Sequence, residues 1–153
     1  FQLHGSPFDL HLNKKLPPFH SRFRIQKSSP GEFTYEVTLG TKGPSQEIIN
    51  SLIHETGHLL KFLMMSNAQR AASLSNLRMS RIFGPNFEDY KEELDAWEVG
   101  HAWAINNSLE IPKDFEEDMT SSLLTYYQVL PDSEKLQVLR LMNERGRCEN
   151  ETK

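Results

Sequence analysis

One five-residue pattern, His54-Glu55-Thr56-Gly57-His58, constrains this chain more than any other feature. Residues four apart lie on the same face of an α-helix, so a helix here allows both imidazoles to reach one metal ion. Glu55 lies roughly 100° further round the helix at about 3.6 residues per turn, within reach of a metal-bound water. Two nitrogen ligands and a nearby carboxylate are the groups that a zinc-dependent hydrolase uses. The pattern therefore predicts a helix-borne Zn²⁺ site with Glu55 as its base.

Hydrophobic periodicity predicts an α+β fold, in which a small β-hairpin or sheet precedes a mostly helical body. Alternating apolar and polar residues predict strands over 22–26 and 33–39, and Ser28-Ser29-Pro30-Gly31 between them is typical of a hairpin turn. Helical spacing predicts five helices, over about 44–65, 67–83, 87–106, 113–129 and 133–145, the last of which ends near Gly146.

Length and composition predict a single domain over residues 1–153. We expect an irregular N-terminal arm over 1–20, a core that carries the site over about 22–107, and C-terminal helices over 112–146. No apolar run approaches the ~20 residues that span a bilayer, so no membrane partner is expected. The net charge of −4 also argues against a nucleic-acid partner. The oligomeric state and the compartment stay open, although a single cysteine and no visible signal peptide favour the cytoplasm.

The third zinc ligand must come from another part of the chain, because catalytic zinc usually takes three protein ligands and a water. The residue six positions after His58, a histidine in one large group of metalloproteases, is Met64, and the glycine expected between them is Lys61. No cysteine lies nearby. A downstream carboxylate is the remaining option, and the segment 91–101 of the helix predicted over 87–106 offers four: Glu92, Glu93, Asp95 and Glu98.

The segment Glu93-Leu94-Asp95-Ala96 gives the chain a resemblance to the gluzincins, zinc metallopeptidases in which a later helix supplies the third ligand, often as Glu-x-x-Ala. With the hairpin ahead of the histidine helix, the chain looks most like minimal gluzincins and ImmA/IrrE-type domains over roughly residues 22–107. The resemblance implies a zinc metallopeptidase whose metal ligands are His54, His58 and Glu93. Glu55 is then the general base. Many relatives follow the alanine with Asp or Asn, which supports the site, whereas this chain has Trp97.

Helical phase also favours Glu93 over Glu92. Glu93, Ala96 and Gly100 fall near one stripe, and the two small residues allow this helix to approach the histidine helix closely. Gly57 is consistent with such an approach, because glycine inside a helix costs about 1 kcal/mol relative to alanine and usually leaves room for a neighbour. Glu92 shares a different stripe, although a small helix rotation exchanges the two glutamates.

The expected substrate is a peptide or protein. His101 is predicted to donate a hydrogen bond to the oxyanion of the tetrahedral intermediate, with Tyr90, Tyr126 and Tyr127 as phenolic alternatives. The strand over 33–39 is expected to be an edge strand that holds an extended substrate by main-chain pairing.

Two other functions remain compatible with these residues. The chain could be a non-catalytic binding or regulatory module that contains zinc, in which case a fourth protein ligand, such as His101 or a histidine of the arm, would close the site. It could also be a zinc hydrolase that acts on a non-peptide amide. The presence of Glu55 favours catalysis over the non-catalytic module.

Overall fold

The computed structural model of this protein describes the backbone of residues 2–3, 6–29 and 32–151, and the side chains of residues 9–25 and 34–146. The described strands are β1 (Gln2–Leu3), β2 (Ser6–Asn13), β3 (Arg22–Ser29) and β4 (Glu32–Gly40). The helices are α1 (Ser45–Met64), α2 (Asn67–Phe83), α3 (Phe87–Asn106), α4 (Phe115–Gln128) and α5 (Asp132–Glu151), with a 3-10 turn at Pro18–His20. The predicted α+β class is confirmed.

The sheet has the strand order β1-β2-β4-β3. β3 and β4 form the predicted antiparallel hairpin, in which Phe23 lies opposite Val37. Its turn residues Pro30 and Gly31 lie outside the described residues. On the other side β2 pairs in parallel with β4, and Leu10 lies opposite the same Val37. The prediction of an irregular arm over 1–20 is therefore wrong for β2, whose alternating residues acquire a partner that lies far along the sequence.

The strand order also corrects the predicted position of the sheet edge. β4 is hydrogen-bonded on both sides, so residues 33–39 do not form an edge strand. β3 is the outer strand instead. Its apolar residues Phe23 and Ile25 pack with Tyr35 and Phe62, which joins the sheet to α1.

Helix α1 lies against α3 at a distance that only glycine permits. A Cβ atom on Gly57 would lie 1.8 Å from the carbonyl oxygen of Ala96, and one on Gly100 would lie 2.1 Å from that of Ile53. Ala96 itself is fully buried. The close approach predicted from these small residues is confirmed, and it brings the histidine helix and the glutamate helix into register.

The main core lies between α3 and the helices around it. Its buried members are Ile53, Tyr90, Leu94, Trp97, Ala104, Phe115, Leu123, Leu130 and Val138. The last helix, α5, continues past the predicted end at Gly146, where an added Cβ would meet nothing within 4 Å. None of the helices in the described part of the chain combines the length and the apolar composition needed to cross a bilayer.

Candidate metal centre

Helix α1 presents His54 and His58 on one face, as the four-residue spacing predicts. Their Nε2 atoms lie 3.1 Å apart. Both side chains are largely buried, with 14% and 16% of their surface exposed. The two imidazole nitrogens thus converge on one point.

Helix α3 brings the Glu93 carboxylate to the same point. Its Oε2 lies 2.9 Å from Nε2 of His54, and its Oε1 lies 3.3 Å from Nε2 of His58. Asn86 and Asp89 form a capping box that fixes the start of this helix. Among the residues with described side chains, His54, His58 and Glu93 form the group of potential metal ligands, with ligand atoms all within 4.8 Å of one another.

The donor set and its spacing fit zinc. Two ligands bound tetrahedrally at about 2.0–2.1 Å from one ion lie about 3.3 Å apart, close to the separations observed between these three side chains. Two imidazole nitrogens and one carboxylate oxygen are also a common ligand set of catalytic zinc, which keeps its fourth position for water. The cluster contains no fourth described protein ligand.

The other candidate carboxylates on α3 are engaged elsewhere. Lys61 of α1 donates to Glu92 and, at 3.1 Å, to Asp95. Arg145 of α5 binds Asp95 at 2.8 Å and also binds Glu98. These three side chains are thus engaged in ion pairs, and the group of potential ligands contains Glu93 and not Glu92.

Burial and charge oppose each other within the site. Burial raises the pKa of Glu55, and the nearby His58 and His54 offset this only in part. Burial also disfavours ionisation of Glu93, but the charge of His58 and the hydrogen bond of His54 hold the Glu93 pKa well below its usual range. Burial lowers the pKa of His58, yet the Glu93 carboxylate outweighs it and the pKa rises. An ionised carboxylate therefore faces two imidazoles, an arrangement that attracts a cation.

Glu55 follows His54 directly and lies at the floor of the same cleft. Its carboxylate is buried, with Oε1 3.6 Å from Nδ1 of His54. The backbone of Phe23, on the outer strand β3, hydrogen-bonds to it. Glu55 is thus placed beside the candidate metal ligands without belonging to their group.

Trp97 stands where many gluzincins have Asp or Asn, and it contacts the site in a different way. Its indole stacks on the imidazole of His54 with ring centroids 4.4 Å apart and an angle of 14° between the planes. Only 3% of Trp97 is exposed, and its buried Nε1 has no described hydrogen-bond partner. A ring stack therefore orients His54 in this chain.

The cluster opens into a cleft of about 1370 Å³. Helix α1 forms its floor, and β3, α2, the first half of α3, and α4 line it. Ligand pockets for small molecules typically occupy about 300–1,000 Å³, so this cleft has room for several residues of a peptide. The contribution of α4 means that the predicted core over 22–107 ends too early to include the whole site.

The structure does not bring His101 to the cluster. Its ring stacks on Phe115, with centroids 4.9 Å apart, and it is not among the residues that line the cleft. His11 and His20 of the N-terminal segment are exposed, and His4 lies outside the described residues. Tyr126 of α4, one of the three phenolic alternatives, lines the cleft and faces the Glu93 carboxylate.

Helix α4 is anchored next to the metal ligands by a buried amide. The Nδ2 of Asn50, one turn before His54 on α1, donates to Asp114 and to Asp118 at 3.1 Å each. This clamp fixes the start of α4 and so positions Tyr126, about three turns further on. Asn50, Asp114 and Asp118 are visible in the sequence, but no local pattern indicates that Asn50 is fully buried.

Comparison of the chain with models of protein families, with curated proteins and with solved structures gives no match. The likeness to the gluzincins thus rests on the motifs alone.

Proposed function

We propose that this protein is a zinc-dependent peptidase. The observation that carries the proposal is the convergence of His54, His58 and Glu93 at the floor of an open cleft, with the Glu55 carboxylate beside them. Zinc bound there would supply a Lewis acid and a water whose pKa is lowered toward about 7. The absence of a fourth ligand among the described side chains favours this over a closed, structural site.

Glu55 acts as the general base. It accepts a proton as water attacks the scissile carbonyl and then passes that proton to the leaving amine. Burial raises the pKa of its carboxyl, which makes it a stronger base than an exposed glutamate. Its position next to His54 fixes the proton acceptor beside the ligand group rather than in solvent.

Tyr126 is the candidate donor to the developing oxyanion. Burial, followed by the charge of Glu93, raises the pKa of its phenol, so the hydroxyl keeps its proton and remains a donor near neutral pH. The same hydroxyl lines the cleft beside the metal ligands. A donor placed in advance in a partly dry site stabilises transition-state charge at little cost in reorganisation.

The outer strand β3 supports a peptide rather than a small amide as the substrate. Its residues 22–25 line the cleft, and its free edge is available for main-chain hydrogen bonds. The cleft volume of about 1370 Å³ has room for a segment of several residues. A small non-peptide amide would leave most of it unfilled.

Cleavage of a mixture of unstructured peptides by the zinc-loaded protein, followed by mass spectrometry, tests the proposal. Glu55→Gln should retain zinc and the fold but lose roughly 10²–10⁴-fold in rate. Glu116→Gln, an exposed acid on α4 outside the cleft, is the matched control and should cleave like the parent. Equal cleavage by the Glu55→Gln protein, or no cleavage by the zinc-saturated parent, would overturn the proposal.

A further inference from the structure

Helix α2 borders the cleft but contributes nothing to the core. None of its residues, Asn67–Phe83, is buried. A helix in water is stabilised mainly by packing of its apolar face, so α2 must be held in another way. The contacts at its two ends provide the explanation.

The first turn of α2 is tied to the end of α1. Ser66 and Gln69 form a capping box, with the Ser66 hydroxyl accepting from the Gln69 backbone at 3.2 Å. Arg70 then donates to the carbonyl oxygens of Phe62 and Leu63, both at 3.1 Å. These bonds satisfy carbonyls at the α1 terminus and fix the angle at which α2 departs.

The second half of α2 is tied to the start of α3. Asp89 accepts from Asn76 at 3.1 Å and from Ser80 at 2.6 Å. Asn86 donates to Asn76 at 2.9 Å. Polar contacts at both ends therefore hold the helix in place, while none of the apolar residues between them is fully buried.

Leu74, which is half-buried, and Leu77, which is exposed, are two of these residues. They line the cleft together with Ile25, Phe62 and Met65, and Leu77 is 46% exposed. Leaving apolar surface in water costs free energy that a bound apolar group would recover. These residues and the candidate metal ligands line one continuous cleft, so a ligand bound at the metal centre can also reach the two leucines.

The distance and direction of these apolar residues from the metal centre determine which residue of a bound peptide would contact them. Phe62 lies one helical turn beyond His58, roughly 6 Å along α1, or about two residues of an extended chain. Ile25 lies two residues beyond Phe23, whose backbone contacts Glu55. A substrate that pairs with β3 in the more stable antiparallel direction has its N-terminal side toward Ile25.

We propose that Leu74 and Leu77 of α2, with Ile25, Phe62 and Met65, form a subsite that selects peptides with a bulky apolar side chain about two residues N-terminal to the scissile bond. This inference rests on the proposed peptidase function, because the metal centre sets the register. In this proposal α2 forms one side of the subsite and determines specificity, and hydrogen bonds at both of its ends hold it in place.

Peptides that end in a hydroxamate test the subsite without any turnover, because the metal-binding group fixes which residue lies where. The affinity of the zinc-loaded protein is measured by calorimetry for two such peptides, with Phe or Ser at the second residue before the hydroxamate. The Phe peptide should bind at least roughly tenfold more tightly, the gain expected when a large apolar side chain is buried. Leu77→Ser should remove most of that preference.

Met79→Ser is the matched control, since Met79 is 50% exposed on the same helix but does not line the cleft. It should leave the preference intact. Equal binding of the two peptides, equal effects of the two serine variants, or a preference that appears only when Phe follows an N-terminal hydroxamate would each overturn the subsite. If the affinities behave as expected but the parent cleaves no peptide, the subsite stands and the peptidase function fails. If the parent cleaves peptides but shows no such preference, the peptidase function stands and the subsite fails.

Discussion

Gly57 of α1 lies against Ala96 of α3 so closely that a Cβ on the glycine would be 1.8 Å from the alanine carbonyl oxygen. That contact lies one residue before His58 and three residues after Glu93. It therefore sets the distance at which the two halves of the metal centre meet.

Gly57→Ala should separate the two helices and damage both stability and zinc binding. Overpacking of this kind costs about 1–3 kcal/mol, and here the obstacle is backbone, which cannot rotate away. Urea unfolding and zinc competition with a chelator measure the two effects. Gly146→Ala is the control, because nothing lies within 4 Å of an added Cβ there, and it should gain about 0.5–1 kcal/mol from helix propensity. Equal effects of the two changes would show that the close approach has no importance for the site.

Replacing Trp97 should weaken zinc binding through His54. Trp97→Phe keeps a ring to stack on the imidazole and should stay within about threefold of the parent affinity, whereas Trp97→Leu should lose about 10-fold or more, as residues supporting a ligand do. Trp103→Leu removes a second tryptophan from the same helix and should destabilise the fold without changing zinc affinity. If Trp97→Leu and Trp103→Leu bind zinc equally well, the stack does not orient His54.

Tyr126→Phe should lower kcat by about 10²-fold or more with little change in KM, because a donor to the oxyanion acts only in the transition state. Its zinc stoichiometry should be unchanged. Tyr127→Phe, which changes a neighbouring phenol that does not line the cleft, should be active. Loss of zinc from Tyr126→Phe would mean instead that the hydroxyl supports Glu93.

Asp95 should contribute stability that disappears in acid. Burial opposes its ionisation, but Arg145 and Lys61 outweigh burial and lower its pKa below the ordinary value of 3.8. A carboxyl with a lowered pKa in the folded state stabilises the protein above that ordinary value, and the stabilisation is lost as the pH falls through the folded-state pKa. Asp95→Asn should therefore cost about 1 kcal/mol at pH 7 and less near pH 3, measured by urea unfolding of the metal-free protein.

The exposed Glu144 on α5 provides the comparison, since Glu144→Gln should change stability little at either pH. A deficit in Asp95→Asn that is the same at pH 7 and pH 3 would contradict the ion-pair network as its source.

Local patterns were sufficient to predict the elements that carry the metal ligands. Helical spacing predicts α1, α2, α3 and α4 to within two residues at each end, because each has an apolar stripe and a recognisable start or stop. The stripe of Ala96 and Gly100 also predicts the close helix packing. Small residues that face a neighbouring backbone can be recognised in the sequence by their helical spacing.

Other long-range partners, which no local pattern marks, could not be predicted. β2 alternates like a strand, but its parallel pairing with β4 depends on residues about 27 positions away along the chain, and this made β3 the outer strand. The choice between His101 and Tyr126 depends on how α4 packs, which the Asn50 clamp decides. The Lys61 ion pair that draws Glu92 away likewise requires both helices to be in place.

Zinc content of two neighbouring glutamate variants tests the central claim most directly. After purification and equilibration with limiting zinc, the metal bound per chain is measured by mass spectrometry for the parent, Glu93→Ala and Glu92→Ala. If His54, His58 and Glu93 bind the metal, the parent and Glu92→Ala should each contain one zinc per chain, and Glu93→Ala little or none. Full zinc in Glu93→Ala, with zinc lost from Glu92→Ala, would contradict it.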